Sequence, residues 1–247
     1  MYKMIKRLLD LIISLTGVIL SSPLILVISI AVFLQDGKSP FYLAPRVGKN
    51  GKEFTMFKIR TMVVDADKSG IDSTSGDDLR VTKLGRIIRK SKIDELTQLL
   101  NVVKGEMSLV GPRPNVKRDT DIYTNEEKKL LSVKPGITDF ASIVFADESE
   151  ILKGKKNPDI AYNQLIRPGK SELGLFYINN ANTLIDIVII TTTIISIFSR
   201  SVALKINAFI LKKLKAPIEL ISVAKRNQTL FPKPPPGSSK IVISREL

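Results

Sequence analysis

Leu8 to Leu34 reads LLDLIISLTGVILSSPLILVISIAVFL, and the way this segment meets a membrane decides what kind of fold the chain can have. It runs for roughly 27 residues, where a helix of about 20 apolar residues crosses a bilayer. It carries no small-residue cleavage site, so it is expected to stay on the chain. Ser21-Ser22-Pro23 interrupts its middle. A proline inside a helix removes one hydrogen bond and crowds the preceding turn. Ser21 and Ser22 can return their hydroxyls to the freed carbonyls, which makes a kink tolerable in lipid.

The flanking charge is the second clue. Lys3, Lys6 and Arg7 precede the segment, and Lys38, Arg46, Lys49, Lys52, Lys58 and Arg60 follow it. Basic flanks favour the cytoplasmic side, and a straight span cannot put both flanks there. A helix kinked at Ser22 and Pro23, entering and leaving by one leaflet, satisfies both. An ordinary single-pass anchor is the competing reading.

Composition narrows the chemistry. The 247 residues contain no Cys and no His, with a formal charge of +14. Disulfides, thiolate nucleophiles, Ser-His-Asp triads and His- or Cys-ligated zinc are therefore excluded. What remains is carboxylates, hydroxyls, Lys, Arg, Tyr or a hard cation held by oxygen. The basic balance points to an anionic partner: nucleic acid, a phosphorylated metabolite or acidic lipid. The absence of Trp argues against a single-strand nucleic-acid binder, which needs aromatic platforms.

Beyond the apolar segment, Pro40 to Met62 predicts a short hairpin around Gly48-Lys49-Asn50-Gly51. Asp65 to Asp78 reads as a mobile loop, and Thr82 to Lys90 as a short basic helix. Ile93 to Val103 predicts a second helix with Leu96, Leu99, Leu100 and Val103 on one face, and Asn125 to Ser132 a further one. Leu184 to Phe198 is apolar but short for a span. With the basic run Arg200 to Lys215 it reads as helices lying on an anionic membrane surface. A core helix followed by a solvated basic one is the alternative. The Pro-rich end, PKPPPGSSKIVISREL, is expected to be extended or disordered.

One pair of residues stands out chemically. Asp94-Glu95 opens the apolar pattern KIDELTQLLNVV, with Arg86, Arg89, Lys90 and Lys92 close in sequence and Arg113 clamped between Pro112 and Pro114. A structural role is available, since Ser91-Lys92-Ile93-Asp94 resembles a capping box and acids suit a first helical turn. The catalytic reading is that basic residues and carboxylates together hold a magnesium-bound pyrophosphate. An ionised aspartate can also attack phosphorus. The same basic cluster could instead face a membrane.

These strings occur in the order of a known family. RVGKNGKEFTMFKIRTM, RVTKLGRIIRKSKIDELTQLLNVVKGEMSLVGPRP and KPGIT follow a basic start and an apolar segment with Ser-Pro at its centre. From about Met1 to Arg200 the chain resembles the monotopic phosphoglycosyl transferases, bacterial sugar transferases that initiate glycan assembly. The resemblance implies an α+β, mostly helical membrane protein. Residues 1–36 would form a re-entrant helix bent at Ser22 and Pro23, and residues 37–200 a small catalytic domain on the cytoplasmic face of the bacterial inner membrane. Residues 201–247 would be a basic extension, an interfacial helix and then the Pro-rich tail.

The resemblance further implies transfer of a sugar 1-phosphate from a nucleoside diphosphate sugar, usually a UDP-sugar, to undecaprenyl phosphate. Asp94 would carry a covalent phosphosugar, with Glu95 its partner and both carboxylates available to Mg²⁺. Lys58, Arg60, Arg86, Arg89 and Arg113 are the candidate phosphate-binding cations, and Lys58, Arg89 and Arg113 match family positions. Anionic lipids are expected partners, nucleic acid is not, and a homodimer is left open. Thr97 stands where the family often has proline, and Asp139-Phe140-Ala141-Ser142 replaces the common Gly-Trp-Ala-Gln, so the identity of the sugar does not carry over. The competing functions are a membrane-attached basic module that binds nucleic acid or anionic lipid without chemistry, and an inactive scaffold.

Overall fold

A computed structural model describes residues 2–244; the outermost positions of the first and third segments, Met1 and Arg245 to Leu247, lie outside the described residues. The chain is a mostly helical α+β protein. Helix α1 (Tyr2–Phe33) leads into the antiparallel hairpin β1 (Phe41–Val47) and β2 (Glu53–Ile59). Then come α2 (Lys83–Lys90), a 3-10 turn (Ile93–Gln98), α3 (Leu99–Lys104) and β3 (Ser108–Val110). After α4 (Lys117–Asp121), β4 (Gly136–Thr138) pairs with β3 in parallel. Helices α5 (Phe140–Val144), α6 (Glu148–Leu152), α7 (Pro158–Leu165), α8 (Arg167–Asn180), α9 (Thr183–Phe198), α10 (Arg200–Lys213) and α11 (Ile218–Lys225) complete it.

The starts of these helices follow from local chemistry. Thr82, Asp139, Asn157 and Asn182 each accept a hydrogen bond from a backbone N–H in the first turn of the helix that follows, as good N-caps do. The core gathers β3 with α5, α8, α9 and α10, through Val110, Phe140, Ile143, Leu173, Ile189 and Leu211. Gly111 and Gly136 let two backbones meet: a Cβ on Gly136 would lie 2.1 Å from the nitrogen of Gly111. Only glycine permits that approach, which brings the GPRP and KPGIT strings together.

Helix α1 is long and apolar enough to cross a membrane, and it runs unbroken through Pro23. The carbonyl that Pro23 cannot bond is that of Ile19, and the Ser22 hydroxyl donates to it at 2.8 Å. Ser21 does the same for Gly17 at 2.7 Å. One stripe of α1 packs on the protein along its length. Arg7 donates to the carbonyls of Val102 and Val103, Asp10 accepts from Ser108 and the Leu109 N–H, and Val32 clusters with Ile59 and Ile88. The opposite stripe, including Leu8, Ile12, Ile19, Leu26 and Ile30, is exposed and apolar, a surface that water does not favour and that suits a lipid environment.

Several local expectations change. Ile93 to Val103 is two pieces, a 3-10 turn followed by α3. Its buried side is Thr97, Gln98, Asn101 and Val102, while Leu100 is exposed and Leu99 rests on Gly17 of α1. The polar side faces inward because it bonds to β2. Asn101 accepts from the Phe57 N–H and donates to the Thr55 carbonyl, and Thr97 donates to the Phe57 carbonyl. Asn125 to Ser132 forms a 3-10 helix over Glu127–Ser132. The loop read as mobile wraps around one guanidinium: Arg80 bonds Asp78, Ser69 and the carbonyls of Ala66, Ile71 and Ser73. Within the Pro-rich end, Lys233 and Val242 both bond Gln164, and Pro236 accepts from Thr124.

Candidate active site

The site is built on the hooks that tie the 3-10 turn to β2. Asn101 and Thr97 bond β2 at Thr55 and Phe57, just before Lys58, and the lysine projects beside Asp94 and Glu95. Lys58 Nζ lies 3.1 Å from Asp94 Oδ2 and 3.7 Å from Glu95 Oε1. Arg113 Nη2 donates to Glu95 Oε1 at 2.8 Å, and its Nη1 donates to the Ile137 carbonyl and to Gln98 Oε1. The crossing of Gly111 and Gly136 is what brings the Ile137 carbonyl within reach of Arg113.

The two carboxylates are not equivalent. Asp94 is only 3% exposed, yet its Oδ1 has no hydrogen-bond partner among the described residues. An orphaned buried carboxylate oxygen is costly and calls for a ligand or a reaction. Burial by itself would raise the Glu95 carboxyl, but the charges of Arg113, Lys58 and Lys92 outweigh it and bring it down to about 2. Asp94 therefore offers a free oxygen beside a partner locked in the charged state.

The capping-box reading does not hold. The residue before the turn is Lys92 in the left-handed region at φ 59, with no side-chain cap, and the Ser91 hydroxyl turns back to the carbonyls of Ile87 and Ile88. Capping does not account for the Asp94 carboxylate.

The other cations divide. Arg89 donates to Thr61 Oγ1 at 2.7 Å. Burial lowers its pKa and the nearby negative charge of Asp94 partly restores it, so the guanidinium lies within electrostatic reach of the site. Gly85 permits this by letting α2 lie on the Thr61 carbonyl, which a Cβ would meet at 1.9 Å. Arg60 is engaged elsewhere, paired with Asp36 and donating to the Ser39 carbonyl. Arg86 is exposed on the surface of α2. Of the sequence candidates, the structure gathers Lys58, Arg89, Arg113, Asp94 and Glu95, and it does not bring Arg60 to them.

Two residues were not singled out from sequence. Gln98 is fully buried one turn after Asp94, and its Nε2 lacks a partner among the described residues; its signal was its place within DELTQ. Arg46 is near enough to Arg113 for the two charges to repel; as one of many flanking cations it carried no distinguishing signal. A cavity of about 510 Å³ lined by Asn50, Lys117 and Asp121 does not include the carboxylates.

The turn that carries the carboxylates also touches α1. Ile93, the residue before Asp94, packs against the cluster of Val32, Ile59 and Ile88, as do Ile25 and Ile28 of α1. The cluster of carboxylates and cations thus sits against the apolar helix. The family model for bacterial sugar transferases matches residues 1–200. The chain belongs to that family. A Bacillus subtilis (strain 168) protein named as an uncharacterized sugar transferase, EpsL, is 37% identical over 190 residues, covering 77% of this chain and 85% of its own length. An Aeromonas hydrophila UDP-N-acetylgalactosamine-undecaprenyl-phosphate N-acetylgalactosaminephosphotransferase is 32% identical over 206 residues, 80% of this chain and 44% of that protein. The Salmonella typhimurium undecaprenyl-phosphate galactose phosphotransferase is 36% identical over 151 residues, 55% of this chain and 32% of that protein. This bacterial sugar transferase is a membrane-associated enzyme of the sugar-phosphate transferase type.

Proposed function

We propose that this sugar transferase moves a sugar 1-phosphate from a UDP-sugar to undecaprenyl phosphate through a covalent phosphosugar on Asp94. The observation that carries the reading is the buried Asp94 Oδ1, unpartnered among the described residues, beside the Glu95 carboxylate held by Lys58 and Arg113. In the first half-reaction an Asp94 oxygen bonds the phosphorus that bears the sugar. The bond from that phosphorus to the bridging oxygen breaks, and UMP leaves with the electron pair. In the second, an oxygen of undecaprenyl phosphate attacks the same phosphorus and frees the aspartate. A carboxylate nucleophile carries its own negative charge and needs no general base. Arg89, Arg113 and Lys58 are suited to neutralising the charge that gathers on the phosphoryl oxygens.

The donor set suits Mg²⁺. Among the described residues no group of three or more metal-binding side chains occurs. Asp94 and Glu95 would hold the ion together with substrate phosphates and water, the usual arrangement for magnesium at phosphate sites. When bound it would supply Lewis-acid stabilisation of the phosphoryl oxygens.

The reading also takes α1 as re-entrant. A straight helix of this length is about 48 Å long, more than the hydrocarbon core. Yet both of its ends are tied to one catalytic domain. At the start, Lys6 and Tyr2 bond Asp186 of α9; at the end, Arg60 pairs with Asp36 and Val32 joins Ile59. With basic flanks at both ends, this supports a seat in the cytoplasmic leaflet of the inner membrane.

The test is UMP release from a panel of UDP-sugars in the presence of undecaprenyl phosphate. Release with one or a few donors, dependent on the lipid for sustained turnover, is expected. No release with any donor across the panel would remove the proposal.

A further inference from the structure

Helices α10 and α11 lie outside the catalytic chemistry, and a groove of about 490 Å³ opens between them. Arg200, Lys205 and Lys212 of α10 and Lys225 of α11 line it, and among the described residues no Asp or Glu does. Apart from Ser201 its remaining wall is apolar, with Phe209 and Ile221 prominent. A solvated basic helix face would be the ordinary explanation for the lysines alone, but two observations go further. Phe209 is 60% exposed at the groove, and Phe198, Val202 and Ile218 are exposed on the same run of helices. The Arg200 Nε is buried with no hydrogen-bond partner among the described residues, although another nitrogen of that guanidinium reaches Asp147.

We propose that this groove binds an anionic phospholipid of the bilayer, the phosphate among Arg200, Lys205, Lys212 and Lys225 and an acyl chain along Phe209 and Ile221. Lys205, Lys212 and Lys225, with Arg200 ion-paired only to Asp147 outside the lining among the described residues, select a negative headgroup, and the apolar wall selects a lipid over a free anion. The inference rests on the membrane seat proposed above and not on the phosphosugar chemistry. It makes the α10–α11 hairpin a second attachment, on a different element from α1.

The chain has no Trp, so Phe209→Trp places a single fluorescent reporter in the groove wall. The full-length variant is reconstituted in vesicles of phosphatidylcholine and phosphatidylglycerol. The composition is identical in two sets, with bromine on the acyl chains of one lipid or of the other. Brominated phosphatidylglycerol should quench the reporter several-fold more per molecule than brominated phosphatidylcholine. Adding Lys205→Gln and Lys212→Gln should bring the two towards parity, since each lysine near an anionic surface is worth roughly fivefold. Circular dichroism checks that the variants keep their helices, whatever their activity.

Equal quenching by both lipids would overturn the headgroup site, and no quenching by either would overturn the membrane contact. Relief of quenching by inorganic phosphate would make the groove a soluble-anion site. Relief by a small mole fraction of undecaprenyl phosphate would make it a seat for the acceptor. Either result overturns the assignment to bulk phospholipid. UMP release that fails while the lipid preference stands would count against the catalytic reading alone.

Discussion

Lys58 and Asp94 meet at 3.1 Å, and the same ammonium reaches Glu95 at 3.7 Å, so one cation serves both carboxylates of the site. Glu95 gains a second cation in Arg113, while Asp94 keeps one oxygen unpartnered among the described residues. This asymmetry separates a held carboxylate from a reactive one, and it has measurable consequences.

Arg113 donates through a planar fork to Glu95, Gln98 and the Ile137 carbonyl. Arg113→Lys keeps the charge but cannot reproduce that fork. Charge-assisted hydrogen bonds are worth about 1.5–3 kcal/mol, so kcat/KM should fall roughly 10- to 100-fold. A lysine variant with wild-type kinetics would show that the fork geometry has no part in the reaction.

The lowered Glu95 pKa sets a pH dependence of stability. A carboxyl at about 2 in the fold, against 4.5 for the free side chain, contributes stability that is fully present above pH 4.5. That contribution is lost as pH falls towards 2. Glu95→Gln removes it, so the difference in Tm between wild type and this variant should be larger at pH 6 and should shrink steadily below pH 4.5. A difference that stays constant across this range would contradict the ion-pair account of Glu95.

With no His or Cys in the chain, any required cation is hard and oxygen-bound. Removal by EDTA should abolish UMP release, and Mg²⁺ should restore it. Undiminished turnover after exhaustive chelation would exclude a metal at Asp94 and Glu95.

Ser22 and Pro23 are coupled through the carbonyl of Ile19. Ser22→Ala should cost about 1 kcal/mol by leaving that carbonyl unbonded. In a Pro23→Ala background the new backbone N–H can take its place, so the second substitution should cost almost nothing. Thermal unfolding of the four proteins in detergent gives the coupling directly, and simple additivity would contradict it. For topology, single cysteines at Lys3 and Lys38 should react alike with an impermeant thiol reagent in sealed vesicles. Opposite reactivity would mean that α1 spans.

What the sequence disclosed depended on whether one residue type spoke for itself. The hairpin at Gly48 to Gly51, the short basic helix starting at Thr82 and the apolar α1 and α9 were legible because turn chemistry, residue periodicity and hydropathy are local signals. Asp94, Glu95, Lys58, Arg89 and Arg113 were legible through their ordered strings. The leucine face of Leu96 to Val103 misled, because periodicity marks an apolar side without saying what covers it. Here Leu99 faces α1, while Asn101 and Thr97 face inward to bond β2. Arg60 was one cation among many until the fold paired it with Asp36. The buried pair of Arg167 and Glu127 joins residues far apart in the chain and left no pattern to read.

Asp94 is the proposed carrier of the phosphosugar. Asp94→Asn keeps the shape of the side chain and loses its attacking anion, so turnover should fall by at least about 10³-fold while the fold survives. The direct measurement is intact-protein mass spectrometry after incubation with the active UDP-sugar and Mg²⁺, without the lipid acceptor. Wild type should gain the mass of one sugar phosphate, Asp94→Asn should gain none, and added undecaprenyl phosphate should discharge the adduct. An adduct of the same mass on Asp94→Asn, or substantial turnover by that protein, would contradict the assignment.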